Sequence, residues 1–101
     1  MLSRSFSQNC YALLKQVPKG KVTTYKALAE ALGTKAYRAV GTAMNKNPNA
    51  PRVPCHRVVN TNSSVGNYAL GAAKKIALLK EEGVEMNNKR IDLEKFGYTF
   101  I

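Results

Sequence analysis

Apolar residues return at helical intervals along most of this chain. Phe6, Cys10, Leu13, Leu14 and Val17 fall on one face, with Ser5 and Gln8 placed as a capping box, which predicts an amphipathic helix from Ser5 to about Gln16. Cys10 lies on the apolar stripe and reads as an inert core thiol. Pro18-Lys19-Gly20 breaks the pattern, and Lys21-Val22-Thr23 reads as a short extended piece. A second helix then starts at Thr23 or Thr24, sets Leu28 and Leu32 one turn apart, and stops at Gly33. A third, from about Lys35 to Asn45, turns Ala36, Val40, Ala43 and Met44 inward and Lys35, Arg38, Thr42 and Asn45 outward.

Two short helices joined by a tight glycine turn, with small and basic residues outward on the second, fit a helix-turn-helix over about 24–45, although any helical hairpin shares that spacing. Pro48, Pro51 and Pro54 rule out regular helix between Asn47 and Pro54, which leaves a rigid extended loop. Val58-Val59, the turn Asn60–Ser64 and the return Val65–Tyr68 predict a β-hairpin. Gly71 to Glu82 predicts a last helix, with Ala72, Ile76 and Leu79 on its stripe and Gly83 as stop, and Leu93, Phe96, Tyr98 and Phe100 read as a closing strand. The expected fold is mostly α with a small β-hairpin, a winged helix-turn-helix-like single domain filling residues 1–101.

Charge changes the picture. The chain carries a formal net charge of +10, and residues 1–60 hold ten basic side chains against the single acid Glu30. Such a segment attracts polyanions, because each neutralised phosphate releases condensed counterions. Nucleic acid is the expected partner, with a merely basic soluble surface as the alternative. No apolar run approaches the roughly 18–20 residues of a membrane span, so no membrane partner is expected. The N-terminus has no secretory-signal pattern, which makes an intracellular, reducing location the expectation, and both Cys10 and Cys55 are read as free thiols.

Cys55 stands between Pro54 and the pair His56-Arg57, directly after the rigid loop. A thiol is a nucleophile as its thiolate, and nearby positive charge or a base eases that ionisation. His56 is the only imidazole available as acid or base. Glu82, at the border of the last helix beside Leu78 and Leu79, is placed to orient that imidazole or else to be a solvated helix-end carboxylate. Two cysteines without ligand spacing and one histidine make no four-ligand metal site.

Pro54-Cys55-His56-Arg57-Val58 resembles the active-site signature of the O6-alkylguanine-DNA alkyltransferases, or methylated-DNA-protein-cysteine methyltransferases. The resemblance runs over about residues 5–83, through Thr24-Tyr25, Arg38-Ala39-Val40-Gly41, Ala43-Met44, Asn47-Pro48, Val65-Gly66-Asn67-Tyr68, Leu78-Leu79 and Glu82-Gly83. It implies a suicide DNA-repair protein whose helix-turn-helix enters the minor groove of duplex DNA while an O6-alkylated guanine is flipped out and its alkyl group passes irreversibly to Cys55. It further implies that His56 takes the thiol proton through a water, Glu82 orients His56, and Asn47 bonds within the loop 47–58 and helps hold the thiolate. Tyr25 would donate toward the guanine ring, and Arg38 would fill the gap left by the flipped nucleotide. Lys35, Ala39, Gly41, Thr42 and Asn45 would face DNA. Tyr68 would wall the alkyl pocket, and backbone groups at Cys55, Val58 and Ala69 would read the base edge. No cofactor or metal is implied, and a monomer is expected in the cytoplasm, nucleoid-associated in a prokaryote, or in the nucleus of a eukaryote.

The resemblance is to the C-terminal catalytic and DNA-binding domain of a family in which many members carry a further N-terminal domain not found in these residues; a short natural form and a fragment both fit. Tyr37 stands where members often have a small residue, Ala69 stands where a hydroxyl is common, and Val84–Ile101 holds no readable motif. Three alternatives remain: a lesion sensor of the alkyltransferase-like kind that binds without transfer, a helix-turn-helix regulator, and Cys-His hydrolysis. The relatives that act as sensors lack the reactive cysteine, which counts against the first.

Overall fold

The structure is a computed structural model that describes residues 6–47, 52–66, 68 and 70–100. Its elements run α1 (Phe6–Leu14), β1 (Thr23–Thr24), α2 (Tyr25–Ala31), α3 (Tyr37–Asn45), a 3-10 turn (Cys55–Arg57), β2 (Val58–Val59), α4 (Ala72–Glu81) and α5 (Leu93–Phe96). The mostly helical class with one small sheet agrees with the sequence reading. None of the described helices is long and apolar enough to cross a membrane.

Local chemistry sets the helix ends. Thr24 caps α2, its hydroxyl accepting the Ala27 N–H at 3.0 Å. At the other end Gly33 takes a left-handed φ of 76°, and the Thr34 N–H returns to the Ala29 carbonyl. Ala36 (φ −78°, ψ 59°) is not helical, so α3 begins at Tyr37 rather than Lys35. Ala36 is exposed instead of inward, while Val40, Ala43 and Met44 are buried. On α1, Cys10 and Leu14 are buried but Phe6 is exposed; the proposed capping residue Ser5 lies outside the described residues.

The sheet corrects the expected hairpin. Val58-Val59 pairs in parallel with Thr23-Thr24, and among the described residues it has no pairing with Val65, Gly66 or Tyr68. The Asn60–Ser64 turn does form, closed by the Asn60 N–H on the Ser64 carbonyl. Left-handed backbone at Ser63 and Gly66 (φ 72° and 77°) then diverts the chain, and Ser64 bridges Arg90 in antiparallel fashion, with the Val65 N–H on the Lys89 carbonyl. The tail supplies the hairpin instead: Asn87 and Arg90 exchange backbone hydrogen bonds around Asn88 and Lys89, both at positive φ. The expected closing strand is also corrected. Asp92 caps a turn of helix at Leu93–Phe96, after which Gly97 bridges Val22. A Cβ on Gly97 would collide with the Leu93 carbonyl oxygen, so the close passage requires glycine.

Successive strand residues face opposite ways, and β2 uses this to join two cores. Val58 packs with Cys10, Leu14, Leu28, Val40 and Met44, whereas Val59 packs with Val22, Leu79, Val84, Ile91 and Phe96. Helix α4 turns its stripe by one position from the expectation: Lys75 and Leu79 are buried, Ile76 is half-buried and Ala72 is exposed. Lys75 is 0% exposed, and its Nζ donates to the Val58 carbonyl at 2.6 Å.

Burial pushes the Lys75 ammonium down to about 8. Folding releases its proton between that value and the ordinary 10.5, so Lys75 adds stability with rising pH across this window and carries its full desolvation cost below pH 8. Denaturant titrations of the native chain and Lys75→Met at pH 7.0 to 10.5 should show the native chain gaining up to about 3 kcal/mol on the variant; parallel curves would show that Lys75 does not titrate.

Candidate active site

The 3-10 turn presents Cys55 and His56 from the floor of the first core. Cys55 is 2% exposed, its N–H bonds the Val53 carbonyl at 2.8 Å, and its carbonyl accepts the Val58 N–H. Asn47 closes the loop across the prolines, its Nδ2 donating to the Val53 carbonyl at 2.8 Å. The intervening 48–51 lie outside the described residues, as does Ala69.

His56 is buried, with Nε2 3.0 Å from Glu82 Oε2, and Nδ1 has no partner among the described residues. Glu82 caps the C-terminus of α4 and also receives a two-pronged bond from Arg57: Nε to Oε1 at 2.9 Å and Nη2 to Oε2 at 2.7 Å. Arg57 Nη1 donates to the Val17 carbonyl at 2.8 Å, which ties this cluster to the end of α1.

The charges follow from this geometry. Although burial opposes its ionisation, hydrogen bonds from Arg57 and His56 hold the Glu82 carboxyl below the ordinary range. Burial is also the largest influence on His56 and pushes it down; Glu82 pulls it up, while Arg57 and Lys75 push it further down. The imidazole is therefore neutral. With Glu82 ionised, the proton sits on Nε2 and the Nδ1 lone pair has no partner among the described residues.

Burial raises the Cys55 thiol, and the Asn47 side chain, the Lys75 charge and a backbone hydrogen bond oppose that rise. The resting sulfur is accordingly a thiol, and a base must take its proton. The basic sequence around Cys55 suggested a readily ionised sulfur; burial outweighs it. Tyr25, half-buried at the start of α2, is raised by burial and by the Cys55 charge, so its phenol stays a donor. Tyr68 is buried, its hydroxyl has no partner among the described residues, and burial pushes it up to about 12. Its ring meets His56 edge-on at 6.2 Å.

Tyr25 also lines a cleft of about 610 Å³ together with Lys26, Tyr37, Arg38, Gly41 and Asn45 of α2 and α3 and with Asn60, Thr61 and Gly66. Lys35, Arg38, Ala39, Thr42 and Asn45 are exposed, and Gly41 is half-buried. A Cβ on Gly41 would meet nothing within 4 Å, so the protein's own packing does not demand glycine there. The backbone N–H groups of Cys55 and Val58 are both engaged internally, and each carbonyl also accepts one bond, that of Cys55 from the Val58 N–H and that of Val58 from Lys75, so a second carbonyl lone pair rather than a backbone donor is what either residue offers a base edge. No group of three or more potential metal ligands gathers among the described residues.

Sequence reasoning missed two residues, Lys75 and Arg57. Lys75 sits three residues after Ala72 and four before Leu79, on the inward stripe, and a lysine there was the available signal. Arg57 counted only as local positive charge; its bond to a residue 25 positions away has no sequence signature.

The family of 6-O-methylguanine DNA methyltransferase DNA-binding domains matches residues 5–84. A bifunctional methyltransferase/endonuclease of Picrophilus torridus is 45% identical over 88% of this chain and 30% of its own length. The crystal structure of an O6-methylguanine-DNA methyltransferase from the archaeon Pyrococcus kodakaraensis superposes with a TM-score of 0.75 at 46% identity, over 80% of this chain and 47% of that one. S. pombe Atl1, crystallised with damaged DNA containing O6-carboxymethylguanine, superposes at 0.84 and 28% identity, over 98% of this chain and 99% of its own. The chain thus spans less than half of the two methyltransferases. With four-fifths of its residues inside one family pattern, it belongs to the 6-O-methylguanine DNA methyltransferase DNA-binding-domain family.

Proposed function

We propose that this chain repairs DNA by a single irreversible transfer of the alkyl group of O6-alkylguanine to Cys55, and that it corresponds to the C-terminal catalytic and DNA-binding domain of longer methyltransferases. The observation that carries this reading is a buried thiol next in sequence to a neutral imidazole whose Nδ1 has no partner among the described residues and whose Nε2 is held by an ionised carboxylate. In this reading His56 accepts the thiol proton through a water. The thiolate attacks the alkyl carbon, the S–C bond forms as the C–O6 bond breaks, and the electron pair leaves with the guanine. Tyr25 donates its phenolic proton toward that departing anion, and Asn47 and Lys75 stabilise the sulfur's charge before attack.

The same reading gives the outward face of α3 to the DNA minor groove. Lys35, Thr42 and Asn45 contact the duplex, Ala39 and Gly41 let the backbone approach, and Arg38 enters the stack where the damaged nucleotide has left. Tyr68 walls the alkyl pocket with Val58. A monomer is sufficient, working wherever the cell keeps its DNA: the cytoplasm, or the nucleus of a eukaryote. No cofactor is needed for the step as written.

A lesion sensor without transfer is the second reading, favoured by the match to Atl1 along nearly its whole length. Intact-mass measurement after incubation with an O6-methylguanine duplex separates the two. Transfer adds one methyl group to the peptide holding Cys55, and an unmodified peptide leaves the sensor.

Arg38→Ala should slow repair of a duplex lesion by at least about ten-fold while affecting reaction with free O6-benzylguanine much less. Equal losses in the two assays would remove Arg38 from nucleotide flipping. A third outcome concerns pH. Arg57→Met removes a positive charge that holds His56 down, so His56 binds its proton at higher pH and the acid limb of the transfer-rate profile moves upward. Rates measured from pH 5 to 9 test this, and a reduced rate with an unmoved limb would leave Arg57 only a structural role.

A further inference from the structure

Tyr37 opens α3 and is 39% exposed, in company with only Phe6 and Leu70 among the large apolar side chains exposed in the described residues. No hydrogen bond or ring contact engages its side chain among those residues. Its position is specific. Tyr37 lines the 610 Å³ cleft beside Tyr25 and Arg38, and it also lines a second depression of about 250 Å³ with Glu30, Gly33, Thr34 and Lys35. Tyr37 therefore borders two hollows. Around it stand Lys26, Lys35 and Arg38, with Glu30 the sole acid on either lining.

An exposed aromatic ring adds nothing to core packing, and a phenol lacks the charge that draws phosphates. What a ring in a cationic setting suits is the apolar surface of nucleic acid, meaning base faces and deoxyribose, while neighbouring lysines and arginines hold the backbone. Minor-groove proteins use bulky side chains in this way, as wedges against a partly unstacked step.

We infer that Tyr37 is a second wedge beside Arg38, packing on the base and sugar next to the opened position and giving this chain an apolar, charge-independent share of its duplex affinity. The inference rests on the reading of α3 as the DNA-facing helix. A flat ring on the first turn and a guanidinium on the next residue would together cover both the vacated site and its neighbour, so that the duplex is held open from one helix end.

The test is fluorescence anisotropy on one short duplex holding a single O6-methylguanine across a salt series, in a Cys55→Ser background that blocks transfer, comparing the native Tyr37 with Tyr37→Phe and Tyr37→Ala. Tyr37→Ala should lose on the order of ten-fold in affinity, as expected for one stacked ring. Tyr37→Phe should keep the native affinity, and all three should share one slope of log K against log salt because no charge changes. Thermal midpoints should also coincide, which a structural role for the ring would not allow. Three results would overturn the inference while leaving α3 on DNA: native affinity in Tyr37→Ala, a Tyr37→Phe loss as large as that of Tyr37→Ala, or a flatter salt slope in Tyr37→Ala. A chain with the native Tyr37 that binds no duplex at any salt would instead overturn the DNA-binding reading, and this inference with it.

Discussion

The site depends on one carboxylate. Glu82 holds His56 with one oxygen and Arg57 with both, and through Arg57 it reaches the last carbonyl-bearing turn of the segment after α1 at Val17. Three regions far apart in sequence are thereby fixed to one charged group. A half-buried anion facing neutral partners would be costly to desolvate, and Arg57 offsets that cost with two charge-assisted hydrogen bonds. Its second effect is on the imidazole. Burial is the largest influence keeping the ring neutral, the carboxylate pulls the other way, and the Arg57 charge paired with that carboxylate adds to the effect of burial while the carboxylate orients the ring.

Lys75 performs the complementary task at the sulfur. It brings a cation to the thiol through 0% exposed surroundings, anchored by the Val58 carbonyl. The sulfur thus lies among Lys75, Asn47 and a helical-turn backbone that favour its anion and a dry core that opposes it. Neither influence removes the other. A thiolate formed here would be poorly hydrated, and a poorly hydrated anion reacts readily once made.

Much of this was legible in the sequence, for identifiable reasons. Helices α1 to α4 follow from apolar periodicity bounded by Thr24, Gly33 and Gly83, since these signals are local and each residue's own chemistry sets them. The Cys55, His56 and Glu82 group could be named because reactive residue types are rare in this chain: one histidine, and one cysteine outside an apolar stripe. The sheet was misread because Val58-Val59 has two possible partners of similar character. Local turn signals favour the near one, but the chain brings Thr23-Thr24 alongside. Register between distant segments is decided by packing of both cores at once, and no window of sequence records that. The tail was opaque for the same reason. Val84, Ile91 and Phe96 fill the second core without repeating at any one period.

Burial also bears on the direction of the proposed transfer. Before the step, desolvation penalises the charged sulfur that must form; after it, the sulfur is a neutral thioether, the species that an apolar pocket favours. The low-polarity setting that raises the Cys55 thiol therefore stabilises the alkylated product relative to the thiolate. A catalyst that turns over would need to release that stabilisation in a later step. No such requirement binds a protein used once, so Cys55 can sit in a pocket better suited to its final state than to its reactive one, provided that His56, Lys75 and Asn47 carry it past the anion in between.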